Sequence, residues 1–453
     1  MLKVEILKDI INRRIKTQEN LESLKREISK KYKIKILSNF EIFEFYRKLL
    51  KERKIDKSKT LEKILKIKPV RSLSGIVNVS VLTKPYSCGG RCIFCPVEPG
   101  MPKSYLSGEP AADRAKPLQF NPFLQTKRRI EMLKNEGHIT DKIELRIVGG
   151  SFTFYPKEYQ GWFVKECFRG ANEKTEKIEE EKNDLNQILT ELKREQKRNE
   201  KAKNRLVGIS IETRPNLINE KEVIWLRTLG ITMVEMGVQS VFNEVLEKNE
   251  TDLTNEIIQR ATKILKDGGL KVLYHLMPNL FGSNLQLDFK CFETIFSDEK
   301  FKPDWLKIYP VMVLEKTKLY KIWQAGEYKP YSEKELLELL INVFSIIPRW
   351  VRVTRVIRDI PTNKISAGIK TPNLRVIVEE EMKKRGLFCS CIRCREVRKN
   401  YNPKEKIYLF REDYMASGGK EIFLSFENKE RTKLFSYLRL RIPSQIFEGK
   451  KHF

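Results

Sequence analysis

The sequence has few of the residues and patterns that mark a secreted or membrane-spanning protein. Only 8 of its 453 residues are cysteine and only 3 are histidine. No apolar run approaches the ~20 residues that a membrane-spanning helix needs. The opening stretch, MLKVEILKDIINRRIKTQENL, is charged throughout and lacks the apolar core and small-residue cleavage site of a secretory signal. We therefore expect an intracellular, cytoplasmic protein with no membrane partner.

Acidic residues are also scarce relative to basic ones. The chain has 88 Lys and Arg against 60 Asp and Glu, a net charge of +28, which favours a polyanionic partner such as nucleic acid. Apolar residues recur at helical spacing in residues 1–72, which predicts a small helical module. Within it, residues 47–71 hold eleven Lys or Arg and three Asp or Glu. This segment is either a nucleic-acid contact or a solvated lysine-rich face.

From residue 73 onwards, short apolar runs alternate with helical segments. The runs predicted as strands are residues 75–82, 143–150, 205–212, 231–238, 270–277 and 305–313. Buried strands that alternate with helices indicate parallel βα units, so the fold class is α/β, an open or closed (β/α) barrel with functional groups at the strand carboxyl ends. The charged segment 172–204 interrupts this pattern and is predicted to be a solvent-exposed helical insertion.

Three cysteines lie close together in the loop after the first strand, KPYSCGGRCIFCPVEPG. Cys88, Cys92 and Cys95 have the spacing C-x3-C-x2-C. Three thiolates can hold three corners of a four-iron cluster and leave one iron open to a small molecule. A structural zinc site needs a fourth ligand, and none lies nearby in the sequence. A disulfide would leave one cysteine over, so the spacing favours the cluster over both alternatives.

Small or polar residues follow the next predicted strands. The second ends in Gly149 and Gly150, whose bare backbones allow a ligand to come close. The third ends in Glu212 and Arg214, and the fourth in Gln239. Each alone could be a bend, a rim ion pair or a turn. Together with the cysteine loop they indicate a site for S-adenosylmethionine on a radical enzyme.

These motifs resemble, in order and spacing, the catalytic subunit of Elongator. The segments that carry the resemblance are CGGRCIFCP, YLSGEPAADRA, NPFLQTKRRIEMLKNEGHITDKIE, VGGSFTFYPKEY, GISIETRP, VEMGVQSV, LKVLYHLMPNL, KIYPVMV and RVIRDIP. That family consists of radical S-adenosylmethionine proteins joined to an acetyltransferase domain, and it acts on the wobble uridine of tRNA. The resemblance runs from about residue 71 to about residue 442.

The resemblance implies a role for each matching residue. It assigns a 4Fe-4S cluster to Cys88, Cys92 and Cys95, S-adenosylmethionine to Gly149, Gly150, Glu212 and Gln239, and the cosubstrate acetyl-CoA to Lys142. It also implies that a radical formed on the acetyl methyl group adds to C5 of the uridine, and that hydrolysis then leaves a 5-carboxymethyl group. A dimer or a larger Elongator-like assembly is a further expectation.

Four arginines recur at every third position in PRWVRVTRVIRDIP. They are Arg349, Arg352, Arg355 and Arg358. Arginine forks suit phosphates, and the resemblance implies a surface that faces tRNA. The alternative is a set of salt bridges at the barrel rim.

A second cysteine group, LFCSCIRCREV, resembles the zinc-binding linker of the same family. Cys389, Cys391 and Cys394 supply three soft ligands, and zinc prefers four. His138, Cys167, Cys291 or a solvent molecule are the candidates for the fourth. His275 is expected to be a core or pocket residue, and His452 lies in the tail.

The remaining segments REDYMASGGKEIFLSFE and LFSYLRLRI match the first strands of an acetyltransferase-like α/β domain, without the Gly-rich loop that holds CoA. The expected organisation is a basic tRNA-binding module (1–72), a radical domain (73–375), a zinc-binding linker (376–400) and an incomplete acetyltransferase-like domain (401–453). Two functions follow: an active tRNA-modifying enzyme, or a tRNA-binding, cluster-bearing scaffold without acetyl-CoA turnover. A methylthiolating enzyme is less favoured because its additional domains are missing.

Overall fold

A computed structural model describes residues 17–398 and 401–444, except 174, 177 and 182, together with residues 10, 13 and 15. In this part of the chain the helices are α1 (Gln18–Tyr32), α2 (Asn39–Lys51), α3 (Lys59–Leu65), α4 (Pro110–Ala115), α5 (Pro122–Asn135), α6 (Lys157–Asn172), α7 (Leu185–Asn199), α8 (Glu220–Thr228), α9 (Asn243–Lys248), α10 (Asn255–Asp267), α11 (Leu285–Ser297), α12 (Lys318–Gln324), α13 (Glu333–Ile346), α14 (Leu374–Lys384) and α15 (Ile392–Arg395). The strands are β1 (Val77–Leu82), β2 (Lys142–Val148), β3 (Arg205–Thr213), β4 (Met233–Gln239), β5 (Lys271–Leu276), β6 (Trp305–Ile308), β7 (Val313–Leu314), β8 (Arg352–Val356), β9 (Ile365–Ala367), β10 (Tyr408–Ala416), β11 (Gly419–Glu427) and β12 (Leu434–Ile442).

The helices α1 to α3 form a small module with its own apolar core. Helix α2 begins with a capping box, in which the Ser38 side chain accepts from the Glu41 backbone and the Glu41 side chain accepts from the Ser38 backbone. Tyr46 is fully buried, and its hydroxyl accepts a hydrogen bond from the backbone of Ser58 (2.6 Å). The module joins the rest of the chain through Arg47, which donates to Asn135 at the end of α5 (3.1 Å).

Within the described residues, seven parallel strands form the main sheet in the order β1-β2-β3-β4-β5-β6-β8. Helices connect successive strands, as parallel pairing requires. The strands contribute apolar side chains to the core, among them Val79, Ile211 and Val272, which are each inaccessible to solvent. The expected partial (β/α) barrel is confirmed, and all seven strands present their carboxyl ends at one edge.

Two strand boundaries differ from the prediction. Residues 305–313 do not form one strand: β6 ends at Ile308, and Pro310 has no N–H for a ladder. The following β7 instead pairs antiparallel with β9. The arginine-rich segment contributes the seventh parallel strand, β8, beside β6.

The charged insertion is not wholly exposed, so that prediction is wrong in part. Helix α7 buries Ile188 and Leu192 against the barrel helix α6. Lys165 of α6 lies beneath the insertion and makes ion pairs with Glu179 (3.2 Å) and Glu191 (3.0 Å). The sequence shows the apolar stripe, but only the fold reveals that α6 covers it.

The strands β10, β11 and β12 form an antiparallel sheet at the opposite, amino edge of the barrel. Asp304, just before β6, accepts hydrogen bonds from Lys266 (3.0 Å) and the backbone of Val272 (2.8 Å), and it also pairs with Arg439 of β12. Trp350 stacks on Tyr414 of β10 with ring centroids 4.2 Å apart. These contacts attach the small sheet to the end of the barrel away from the cysteine loop.

No helix in the described residues is both long enough and apolar enough to cross a membrane.

Candidate active site and metal centres

A cavity of about 380 Å³ opens at the carboxyl edge of the main sheet. The three loop cysteines line one side of it, because their loop directly follows β1. Residues at the ends of the neighbouring strands line the rest, including Gly150 after β2, Glu212 in β3 and Gln239 at the end of β4. The fold therefore gathers groups from distant parts of the sequence around one space.

Hydrogen bonds hold the cysteine loop in place. The Gly90 backbone donates to the sulfur of Cys88 (3.4 Å), and the Lys103 ammonium donates to the Gly90 carbonyl (2.7 Å). Burial raises the pKa of Cys95 to about 12. A buried thiol of this kind keeps its proton unless a metal takes the proton's place.

The two cysteine groups differ in how closely their sulfur atoms lie. In the described part of the chain, the sulfurs of Cys389, Cys391 and Cys394 all lie within 4.8 Å of one another, whereas the three loop cysteines form no such group. Zn–S bonds of about 2.3 Å place the thiolates of one zinc ion less than ~4 Å apart. The second group is therefore spaced for a single ion, and the loop cysteines are not.

Gly149 and Gly150 both have backbone angles that other residues avoid, with φ of +129° and +80°. A Cβ at Gly149 would come within 2.1 Å of the Thr83 hydroxyl. The Gly149 N–H points to Glu212 (3.4 Å), and Gly150 faces the cavity. Bare backbone is therefore required where β2 meets the cavity.

Glu212 and Gln239 supply the polar groups at the next two strand ends. Glu212 accepts a hydrogen bond from the Tyr105 hydroxyl (2.8 Å) and lies 3.5 Å from the Lys307 ammonium. The Gln239 side-chain oxygen is buried and has no hydrogen-bond partner within the described residues. An unpartnered buried acceptor at a cavity wall fits a ligand that brings its own donor, such as an amino or hydroxyl group.

The cavity floor holds charged residues that the sequence reading did not single out. Glu235 of β4 contacts Lys307 of β6 and accepts a hydrogen bond from Ser210 (3.0 Å). Burial raises the pKa of Glu235, but the Lys307 ammonium, the hydrogen bond from His275 and the charge of Arg146 together outweigh burial and hold the pKa well below the usual range. His275, expected in the core or pocket, lines this floor. Glu235 and Lys307 can be recognised in the sequence because each is the one charged residue in an apolar strand, VEMGV and LKIYP respectively.

The structure does not bring the four predicted arginines onto one surface. Arg349 donates to the carbonyl of Arg431 near the small sheet (2.9 Å), and Arg352 pairs with Glu396 beside the second cysteine group (2.5 Å). Both lie toward the amino edge of the barrel.

The other two arginines line the cavity. Arg355 pairs with Asp359, and Arg358 forms a two-pronged contact with Glu109, with one N–O distance of 2.7 Å. Arg355 retains 38 % of its side-chain exposure, against 19 % for Arg358. Arg355 is therefore the freer of the two for a ligand at the mouth.

Lys142 lies at the other end of the barrel from the cavity. It is the exposed first residue of β2, and Gly149 follows the last. At ~3.3 Å per residue, the two positions are about 20 Å apart.

The second cysteine group follows α14: Cys389 and Cys391 precede α15, and Cys394 lies within it. Arg375 donates to the sulfur of Cys394 (3.2 Å), and hydrogen bonds from Cys389 and Cys394 lower the pKa of Cys391, which favours its thiolate. The carboxylate of Glu379 lies 3.5 Å from the Cys394 sulfur.

The protein residues considered as a fourth zinc ligand lie outside the second cysteine group. His138 hydrogen bonds to Ser72 (2.8 Å), and Cys167 and Cys291 are buried in α6 and α11. His452 lies outside the described residues.

Comparison with known proteins agrees with this geometry. Residues 82–287 match the radical SAM superfamily, and residues 303–384 match the radical SAM C-terminal domain. The solved archaeal Methanocaldococcus infernus Elp3 with an N-terminal deletion (1–46) superimposes with a TM-score of 0.70 at 42 % identity, covering 83 % of this chain and 80 % of that one.

The sequence relatives carry two names. The tRNA uridine(34) acetyltransferase of Methanocaldococcus infernus is 44 % identical over 98 % of this chain and 82 % of its own length. Human Elongator complex protein 3 is 36 % identical over 85 % of this chain and 71 % of its own length. These matches confirm the resemblance seen in the motifs: the chain belongs to the tRNA uridine(34) acetyltransferase family, which includes Elongator complex protein 3.

Proposed function

We propose that this protein binds tRNA and installs a 5-carboxymethyl group on the wobble uridine, using acetyl-CoA and S-adenosylmethionine. The observation that carries the proposal is the single cavity shared by Cys88, Cys92, Cys95 and the strand-end groups. The names of the relatives support tRNA uridine as the substrate.

The loop cysteines would hold a 4Fe-4S cluster, in keeping with their C-x3-C-x2-C spacing in the sequence and with the radical SAM match. Such a cluster supplies the electron that cleaves S-adenosylmethionine, and the carbon radical so formed takes a hydrogen atom from the acetyl methyl group. The acetyl carbon then joins C5 of the uridine, and hydrolysis of the thioester leaves the carboxymethyl product.

The strand-end residues would bind and orient S-adenosylmethionine. The bare backbone of Gly149 and Gly150 allows close approach, and the unpartnered Gln239 oxygen accepts from a ligand N–H or O–H. The Glu212 carboxylate offers a second acceptor that Tyr105 and Lys307 hold in position. Binding and orientation are the protein's main contribution in such chemistry.

The excess of positive charge supports a tRNA partner. The basic segment 47–71 in the module 1–72 and Arg355 at the cavity mouth are the best-placed contacts. Arg349, Arg352 and Arg358 remain in the proposal as weaker candidates because each is held by a protein partner. Lys142 would contact acetyl-CoA at the far end of β2.

The zinc ion belongs to the linker 376–400, which joins the radical domain 73–375 to the acetyltransferase-like segment 401–453. Cys389, Cys391 and Cys394 would bind it, since their sulfurs are spaced for one ion. In this arrangement zinc is structural: it lies at the amino edge, away from the cavity.

The test is an anaerobic assay of the iron-reconstituted protein with tRNA and S-adenosylmethionine, with and without acetyl-CoA. We expect 5'-deoxyadenosine that depends on both tRNA and acetyl-CoA, and modified uridine in the tRNA. Cys92→Ala abolishes both products, whereas Cys167→Ala, a buried cysteine of α6, preserves them. If the wild-type protein binds tRNA but cleaves no S-adenosylmethionine, the scaffold alternative replaces the enzyme.

A further inference from the structure

His275 lies in an unusual group on the cavity floor. Ligand atoms of Glu212, Glu235 and His275 lie within 4.8 Å of one another, as they would around a metal ion. The ammonium of Lys307, however, contacts Glu235 and lies 3.5 Å from Glu212. This buried ammonium already supplies the positive charge that a metal would bring, so the group is complete without a metal.

The contacts of Glu235 determine which nitrogen of His275 carries a proton. Glu235 is an ionised carboxylate, because Lys307, His275 and Arg146 together outweigh the effect of burial and hold its pKa low. A carboxylate only accepts hydrogen bonds, so the His275 Nε2, 3.2 Å away, must donate. Burial and the Lys307 ammonium lower the pKa of His275, so the ring is neutral near pH 7.

A neutral ring with a proton on Nε2 has an unprotonated Nδ1. This nitrogen has no hydrogen-bond partner among the described residues, and the side chain keeps 14 % of its exposure at the cavity wall. The ring of Tyr309 packs edge-on against the imidazole, with centroids 5.5 Å apart, and so limits its rotation. His275 thus presents a fixed basic nitrogen to the cavity.

Each of the other carboxylates that line the cavity already accepts from, or pairs with, a protein donor. Glu212 accepts from Tyr105, Glu109 accepts from Arg358, and Asp359 pairs with Arg355. Lysine and arginine side chains are charged donors. Among the described cavity residues, Nδ1 of His275 is the basic site that no protein donor occupies.

We propose that His275 Nδ1 accepts the proton that leaves C5 of the uridine. This inference rests on the proposed function. When the acetyl carbon bonds to C5, the unpaired electron moves to C6, and restoring the C5–C6 double bond requires loss of one proton and one electron. The proton would go to Nδ1, and the electron would return to the iron-sulfur cluster that Cys88, Cys92 and Cys95 would hold. Glu235 and Lys307 act as positioning residues. Lys307 helps to keep Glu235 ionised, and Glu235 accepts the hydrogen bond from Nε2–H of His275.

The first test is His275→Gln, which keeps an amide that can donate to Glu235 but removes the basic nitrogen. We expect 5'-deoxyadenosine to form with tRNA and acetyl-CoA while modified uridine falls by about 100-fold or more. The matched control is His138→Gln, a buried histidine outside the cavity. Modified uridine within about threefold of wild type in His275→Gln overturns the inference. Absence of 5'-deoxyadenosine in the wild type instead overturns the proposed function.

The second test is nitrogen-15 NMR of the histidine-labelled, full-length protein without iron. With only 3 histidines in the chain, His275→Gln identifies the signals of interest by their loss. We expect His275 in the Nε2–H form from about pH 6 to pH 8. Lys307→Met should weaken that preference, because Glu235 can then take up a proton. A ring protonated on Nδ1 in the wild type overturns the inference, whatever the assay shows.

Discussion

The guanidinium of Arg214 occupies the space that a side chain at Gly90 would need. A Cβ built at Gly90 lies 2.1 Å from Nη1 of Arg214. Arg214, at the end of β3, also donates to the carbonyl of Thr251. The Arg214 guanidinium therefore packs against the cysteine loop at Gly90, and a side chain at position 90 would displace it.

Gly90→Ala is expected to lower the iron content after reconstitution, because the added methyl group displaces Arg214 or the loop. Iron and sulfide analysis, with the visible absorption of the cluster, measures the change. The double variant Gly90→Ala/Arg214→Ala removes the clash and should hold no less iron than Arg214→Ala alone. Iron content in Gly90→Ala equal to wild type contradicts this view of the loop.

Lys307→Met should lower the free energy of unfolding by about 3–5 kcal/mol at pH 7, because it leaves Glu235 buried and unpaired. Denaturant unfolding gives the value. The double variant Glu235→Gln/Lys307→Met should recover most of the loss. A loss no larger than that of an exposed-lysine control, Lys221→Met, would refute the expectation.

The Glu235–Lys307 pair also predicts how the free energy of unfolding depends on pH. In the wild type the pKa of Glu235 is lowered on folding, so its contribution is present above the unfolded pKa of about 4.3 and is lost as the pH falls through the folded pKa. In Lys307→Met, burial raises that pKa, and the folded protein takes up a proton first. The loss of unfolding free energy in Lys307→Met, relative to the wild type, should therefore shrink between pH 7 and about pH 5. A deficit constant over that range argues against an ionised Glu235.

Metal analysis should separate the two cysteine groups. Cys391→Ala is expected to lose zinc and keep iron, because the three sulfurs within 4.8 Å of one another hold one ion. Cys92→Ala should lose iron and keep zinc. Cys291→Ala, a buried cysteine in α11, should keep both. Loss of zinc in Cys92→Ala would show that the two sites are not independent.

Asp304→Asn should weaken the attachment of the small sheet. Asp304 contacts both Lys266 and Arg439, so loss of its charge removes the carboxylate that pairs with Arg439 and leaves Lys266 with Glu421 alone. We expect a loss of about 3–5 kcal/mol and faster hydrogen exchange in β10–β12. The exposed Glu299→Gln is the control. Unchanged exchange in the small sheet would contradict this role.

Arg355→Gln should weaken tRNA binding several-fold and reduce the slope of log K against log salt by about one, as expected for one lost phosphate contact. Filter binding at several salt concentrations measures both quantities. Arg349→Gln should weaken tRNA binding less than Arg355→Gln, because Arg349 contacts the Arg431 carbonyl away from the cavity. Equal losses in both variants would favour a general charge effect.

Much of the fold could be predicted from the sequence. The strands β1 to β5 lie within about two residues of the predicted runs, because buried parallel strands are continuous apolar segments between turn signals. Strand β8 was harder to predict, since its arginines mask the apolar Val353 and Val356. The burial of α7 depended on a partner helix that no local pattern reveals.

The sequence by itself determined the family, the parallel barrel and the two cysteine groups, because these depend on spacing along the chain. Only the tertiary structure decided which groups meet. It separated the four arginines, set Lys142 about 20 Å from Gly149 along β2, and joined Glu235, His275 and Lys307 from three strands on one floor. The physical reason is that side chains on neighbouring parallel strands become close through strand pairing, and pairing brings together residues that are far apart in the sequence.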